Sequence, residues 1–316
     1  MSHAILLALG PVFFVMALGY GAGWFRVVDT RQVEGLNALV MDFALPASLF
    51  AATASAPRSE MLAQAPLFVI LGLVMLALHL AWYGFVRWSS NTSKADASLQ
   101  AVTIAFPNLA GVGLPMVSAV LGPTGTVPVA VALAAGSILV TPLALIQVEM
   151  SRGREDGAAA SLTARLIRAL SRALTKPVVL GPALGILFSL SGVTFGPVTK
   201  SCLLLIGQAA AGVALFLTGL ILSGQSFQWN WKVLGATGMA DIIRPLLTAA
   251  VVAILPVPAE VAKVAILLAA VPSGFFGILF AVNYRLESAT EGSMVAASTG
   301  FSVVTMAIAI AVLFGH

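Results

Sequence analysis

The chain has 316 residues, of which 59% are apolar and only 9% charged. A soluble domain carries about 25% charged residues and a disordered chain is polar, so both classes are excluded and a polytopic membrane protein remains. Lys and Arg exceed Asp and Glu by four, an excess that in such a protein marks the cytoplasmic face rather than a nucleic-acid partner. The one cysteine, Cys202, excludes a disulfide framework or a cysteine-based metal cluster.

A spanning helix needs roughly 20 apolar residues. In chain order the predicted spans are 3–24, 37–55, 66–87, 99–121, 126–148, 177–194, 200–223, 232–255, 260–284 and 291–315. The first lacks a basic lead and is long enough to span, so it reads as a helix rather than a signal peptide. Twelve Lys and Arg fall in the odd-numbered loops, among them Arg26, Arg87, Arg152, Lys176, Lys232 and Arg285. Three fall in the even-numbered loops: Arg58, Lys200 and Lys263. The odd loops are therefore expected in the cytoplasm, with both termini outside, in a bacterial inner membrane. Trp24, Trp82, Trp88, Trp229 and Trp231 all fall at the cytoplasmic ends, where indoles favour the interface. The longest loop, 149–176, puts Leu162, Leu166, Leu170 and Leu174 with Ile167 on one helical face and Arg165, Arg168, Arg172 and Lys176 on the other. Such a helix is expected to lie on membrane lipid.

That loop divides the chain into 1–148 and 177–316, with five spans in each part. An odd number per half forces the halves into opposite topologies, the inverted-repeat plan of many secondary transporters. The fourth span of each half carries an interruption. Span 4 reads Phe106-Pro107-Asn108-Leu-Ala-Gly111-Val-Gly113-Leu-Pro115, and span 9 reads Val271-Pro272-Ser273-Gly274-Phe-Phe-Gly277. Proline removes a backbone donor and clashes with the preceding turn, and glycine weakens the helix further. Two broken helices meeting at the bilayer midplane are predicted, in an all-α protein of ten spans. Freed backbone groups in lipid must face protein or a watery cavity, and a helix N-terminus there holds an anion. Pro107, Asn108, Gly111, Gly113, Pro115, Pro272, Ser273 and Gly274 are therefore the candidate substrate-binding residues.

These runs carry a resemblance. Asn108-Leu-Ala-Gly-Val-Gly113-Leu-Pro115 resembles the fourth-span signature of the auxin efflux carrier family, and Pro272 through Tyr284 resembles its ninth span. Ser298-Thr299-Gly-Phe-Ser302-Val-Val-Thr305 is similar to its tenth-span Ser/Thr pattern, and Leu45-Pro46-Ala47 to its second-span Leu-Pro-Ala. The stretch Pro-Ser-Gly-Phe-Phe-Gly looks most like bacterial members that carry malonate or malate. The resemblance implies spans 4 and 9 crossing within scaffold and transport parts, an elevator-like motion, a small organic anion as substrate and a homodimer. It also implies that Asn108 contacts the substrate carboxylate. Ser273 stands where plant members carry other polar residues, so the identity of the substrate does not carry over.

Ionisable residues inside spans are functional candidates. Asp241 and Arg244, three apart in span 8, are either a proton carrier and an anion's counter-charge or a mutually neutralising pair. Asp42 in span 2 is either a proton site or a residue reaching interfacial water. His79 reads as a hydrogen-bonded packing residue, Glu149 as a solvated span end, and Asn283 and Tyr284 as interfacial. Gly19-Tyr-Gly21-Ala-Gly23 lacks the strand-turn-helix setting of a dinucleotide site and reads as close helix packing. No metal-binding spacing, nucleophile elbow or P-loop occurs, so neither an enzyme, a metal nor a cofactor is expected. The alternatives to a carboxylate carrier are a sodium-coupled organic-anion symporter of the bile-acid type, an exporter of auxin-like aromatic acids, and a channel.

Overall fold

The computed structural model describes residues 2–29, 32–152, 174–224 and 227–314, together with residues 164, 167, 170 and 171. The described residues are helical almost throughout. In chain order they form α1 (Ser2–Trp24), α2 (Val33–Ala54), α3 (Ala65–Ser89), the half-helices α4a (Lys94–Ala105) and α4b (Leu114–Leu121), α5 (Val127–Ser151), α6 (Pro177–Ser191), α7 (Pro197–Ser223), α8 (Trp231–Ile254), the half-helices α9a (Ala259–Ala269) and α9b (Phe276–Asn283), and α10 (Ala289–Phe314). Among the described residues, α2, α3, α5, α7, α8 and α10 are long and apolar enough to cross a membrane. The protein is thus an all-α, multi-pass membrane protein. Span 4 starts earlier than its apolar run, because Ser93 caps α4a by accepting from the Asp96 amide.

Two groups of helices recur in the packing. α1 lies along α7, α6 along α2, and α7 also meets α2. These contacts are backbone-close at glycine. A Cβ on Gly19 would stand 1.9 Å from the Phe216 carbonyl oxygen, and one on Gly219 the same distance from that of Met16. A Cβ on Gly181 would stand 2.7 Å from the Pro46 carbonyl oxygen of α2, and one on Gly185 1.9 Å from the Thr53 hydroxyl oxygen and 2.9 Å from the Phe50 carbonyl oxygen. Of the glycines in Gly19-Tyr-Gly21-Ala-Gly23, Gly19 packs on backbone and Gly23 on the Ser223 side chain, whereas Gly21 faces open space. Around α4a gather α3, α5, α9b and α10, with α8 against α10, α9a and α3.

Among the described residues three π turns interrupt helices, Leu39–Ala44 in α2, Gly136–Val140 in α5 and Met239–Ile243 in α8, and a fourth, Leu109–Gly113, leads into α4b. Each ends two residues before a proline, namely Pro46, Pro115, Pro142 and Pro245. Proline cannot donate to the carbonyl four residues back and its ring collides with it. Winding in one extra residue moves that carbonyl aside.

Of the expected interfacial tryptophans, Trp24, Trp88, Trp229 and Trp231 are exposed, but Trp82 is buried against Phe85 and Trp231. Trp82 serves packing because α8 covers that face of α3. In the linker, Ile167, Leu170 and Leu174 are exposed; Leu162, Arg165, Leu166, Arg168 and Arg172 lie outside the described residues.

Candidate functional site

The two interrupted segments meet as a single antiparallel bridge between Pro107 and Ser273. The Asn108 amide donates to the Pro272 carbonyl at 2.8 Å, and the Gly274 amide to that of Phe106 at 2.9 Å. Sheet-type pairing satisfies the groups that each broken helix frees. It requires near backbone contact, because a Cβ on Gly274 would lie 2.3 Å from the Phe106 oxygen. Phe106 stacks on Phe276 at 4.4 Å and seals the crossing.

Asn108 is 2% exposed. Its Oδ1 accepts from the Gly111 amide at 3.0 Å, capping the turn that opens the second half of span 4. Its Nδ2 is buried without a partner, and so is Ser273 Oγ. Buried polar atoms are normally paired, and an amide N–H and a hydroxyl offer donors to an acceptor such as a carboxylate. Asn108 leaves the extended conformation directly after the bridge, with φ −74° and ψ 64°, as it turns into the cap of the next segment. Asn108 lies on the side of Gly111, which α7 approaches through Leu215. Gly113 packs on Leu109, and Pro115 is the second residue of α4b.

Span 8 brings two further groups to the crossing, but not as a pair. Arg244 is fully buried and donates through Nε to the Ala269 carbonyl at 2.9 Å, and through its terminal nitrogens to those of Ile104 and Val271. Ile104 and Ala269 are at the C-terminal ends of α4a and α9a. There the carbonyls lack helical partners and the dipole favours a cation. Asp241 accepts instead from Ser298 Oγ at 2.8 Å, and Ser298 Oγ in turn accepts from the Ser273 amide at 2.8 Å. Asp241 and Arg244 thus make no direct hydrogen bond to each other, each being held by its own set of partners. Residues three apart share a face on an α-helix, but Asp241 sits inside a π turn, whose wider winding turns it away from Arg244. The polar set at the crossing is also larger than Asn108 and Ser273 alone.

The other candidates lie elsewhere. Asp42, in the π turn of α2, is exposed and joins no group at the crossing. His79 bonds Gln147 at 2.9 Å, as a packing histidine would. Glu149 is not simply solvated, since it accepts from the Tyr284 hydroxyl at 2.9 Å, and Lys176 stands over the Tyr284 ring. Tyr284 is accordingly buried rather than interfacial.

Sequence reasoning missed the approach to the break. A crevice of about 620 Å³ runs between α2, α5 and α7 and reaches Ala110 and Leu114 just beyond Asn108. Small apolar residues form most of its walls, with Ser48, Ser55, Lys200 and Gln208 as polar points. An adjoining cavity of about 310 Å³ shares Lys200 and adds Arg58. The signal was present in the sequence: Arg58 and Lys200 are two of the three basic residues in the even loops.

A multi-pass helical protein with two broken helices bridged at a buried polar crossing belongs to the class of membrane transporters, not enzymes. The chain belongs to the membrane transport protein family, that of the auxin efflux carriers, whose family model matches residues 4–310. It is similar to the uncharacterized transporter YfdV of Escherichia coli K12, with 27% identity over 299 residues that cover 93% of each chain. The same figures hold for the YfdV proteins of Escherichia coli O157:H7 and Shigella flexneri.

Proposed function

We propose that the protein is a secondary carrier of small organic carboxylates such as malonate. The observation that carries this reading is Asn108: a buried amide whose oxygen is committed to a helix cap while its Nδ2 donor is unspent, two residues before Ala110 in the wall of a crevice that Lys200 also lines. A carboxylate takes the donor that the protein leaves over, and Lys200 offers a second charged end to a dicarboxylate. Arg58 and Lys200 at the adjoining cavity favour anions at its mouth.

The ten-span inverted repeat, with halves 1–148 and 177–316 and the linker 149–176 on the inner leaflet, is part of the same proposal. Exchanging the halves turns the α1–α7 contact into the α6–α2 contact, and both are glycine-tight. In this plan α1, α2, α6 and α7 form a frame. The remaining helices, tied through Arg244 and the bridge, move as one body in an elevator-like cycle. The carrier is a homodimer in the bacterial inner membrane, with both termini outside.

The test is counterflow of radiolabelled malonate into proteoliposomes preloaded with unlabelled malonate, for the natural protein and for Asn108→Asp. Aspartate keeps the oxygen that caps Gly111, but it replaces the Nδ2 donor with a like charge. The natural protein is expected to show saturable counterflow and Asn108→Asp to lose it with folding intact. Normal transport by Asn108→Asp would sink the site. Alanine is the poorer probe, because it also removes a cap, at a cost of about 0.5–2 kcal/mol.

A further inference from the structure

A second polar cavity, of about 630 Å³, lies where α4a, α8 and α10 begin, away from the crossing. Its lining includes Asp96 and Gln100 of α4a, Lys232 of α8 and Glu291 of α10. Glu291 is 2% exposed although it borders the cavity. Gln100 is 3% exposed, and its Oε1 is a buried acceptor with no donor. Lys232 Nζ is engaged by Thr92 Oγ1 at 2.6 Å. Asp96 takes the Ser93 hydroxyl at 2.8 Å. Gln228, also on the wall, has its Oε1 filled by Thr290 at 2.8 Å.

The charges facing Glu291 are Asp96 from α4a and Lys232 from α8, with Arg285 and Glu287 from the connection into α10. Arg285 pairs with Glu34 of α2, and Glu287 is exposed. Lys232 balances one carboxylate, Asp96 or Glu291, but not both. A buried carboxylate without its own counter-charge is costly inside a membrane protein. We infer that this cavity takes up one proton at Glu291, and that on the carrier reading above this uptake couples anion transport to the proton gradient. The step is simple: the Glu291 carboxylate binds a proton from the cavity water and becomes a carboxyl. Its O–H is then the donor that the Gln100 carbonyl lacks, directly or through water, and the cavity loses its excess negative charge.

Two measurements test it on the full-length protein. Difference infrared spectroscopy of purified protein, stepped from alkaline to acid pH, is expected to show a protonated-carboxyl band that is absent in Glu291→Gln. In Gln100→Leu the band is expected at the position of a less strongly hydrogen-bonded carboxyl, which keeps the proposal open to refutation should Glu291→Gln not fold. The same band in Glu291→Gln, or an unmoved one in Gln100→Leu, overturns the site. In proteoliposomes the natural protein is expected to accumulate malonate about tenfold per pH unit of gradient for one coupled proton. Glu291→Gln is expected to lose that accumulation while keeping gradient-free counterflow. Undiminished pH-driven accumulation in Glu291→Gln refutes the coupling, as does accumulation driven by sodium alone. Absence of counterflow in the natural protein refutes the carrier reading instead, and the infrared result still decides whether Glu291 binds the proton.

Discussion

Replacing Arg244 separates a structural staple from an anion's counter-charge. Its guanidinium joins three carbonyls, those of Ile104, Ala269 and Val271, on two broken helices. A hydrogen bond with a charged partner contributes roughly 1.5–3 kcal/mol. Relaxation and the relief of desolvating the cation offset part of the loss, so removing one side of such a buried set costs about 3–5 kcal/mol. Arg244→Met keeps the bulk and removes every donor. Arg244→Lys keeps the charge, but a compact ammonium cannot reproduce the planar fork. The expected order of melting temperature, read by size-exclusion chromatography of the detergent-solubilised protein after heating, is natural protein, then Lys, then Met, with poor folding of the Met variant. Malonate counterflow is expected to fall in step with the folded fraction. A Met variant that melts like the natural protein yet no longer transports would refute the staple and favour the counter-charge.

Gly274→Ala is expected to open the crossing. Its Cβ meets the Phe106 oxygen at 2.3 Å, and overpacking costs about 1–3 kcal/mol; a lower melting temperature together with lost counterflow checks it, and a neutral result means that the bridge is not tight. Ser298→Ala leaves the Ser273 amide without its acceptor and Asp241 Oδ1 without its donor, at about 1–3 kcal/mol for each buried group. Its melting temperature should fall, whereas Thr299→Ala, which removes only a bond back to its own helix, should be nearly silent.

Much of the crossing was readable from the chain because proline and glycine act locally. Pro107, Pro272 and Gly274 break helices wherever they stand, and their matching places in two spans announced a meeting point. Asn108 was singled out by its place at the break and by the family resemblance, whereas its role as the cap of the Gly111 turn became visible only in the fold. What escaped was carried by partners distant in sequence. Nothing near Arg244 says that its hydrogen bonds end on Ile104, 140 residues away. Gln100 and Glu291 look like ordinary helix residues until α4a and α10 enclose one cavity. Trp82 and Tyr284 resemble interfacial anchors until α8 and Glu149 cover them.

The π turns inside α2, α5 and α8 make each of these helices two helices of different phase. One extra residue rotates everything beyond it by about 100°, the angle per residue of an α-helix. The packing of α8 follows that rotation: the part before its π turn lies on α10, and the part after lies on α9a and α3. In α5 the early part faces α3 and the later part faces α4a. Deleting a single residue from Met239–Ile243 and replacing Pro245 would let α8 rewind as one continuous α-helix. Its far half would then present a different stripe to its neighbours, a frameshift in space that leaves composition almost untouched. Cysteine cross-links that form between the far half of α8 and α9a in the natural protein, but not in the deletion variant, would register that turn directly.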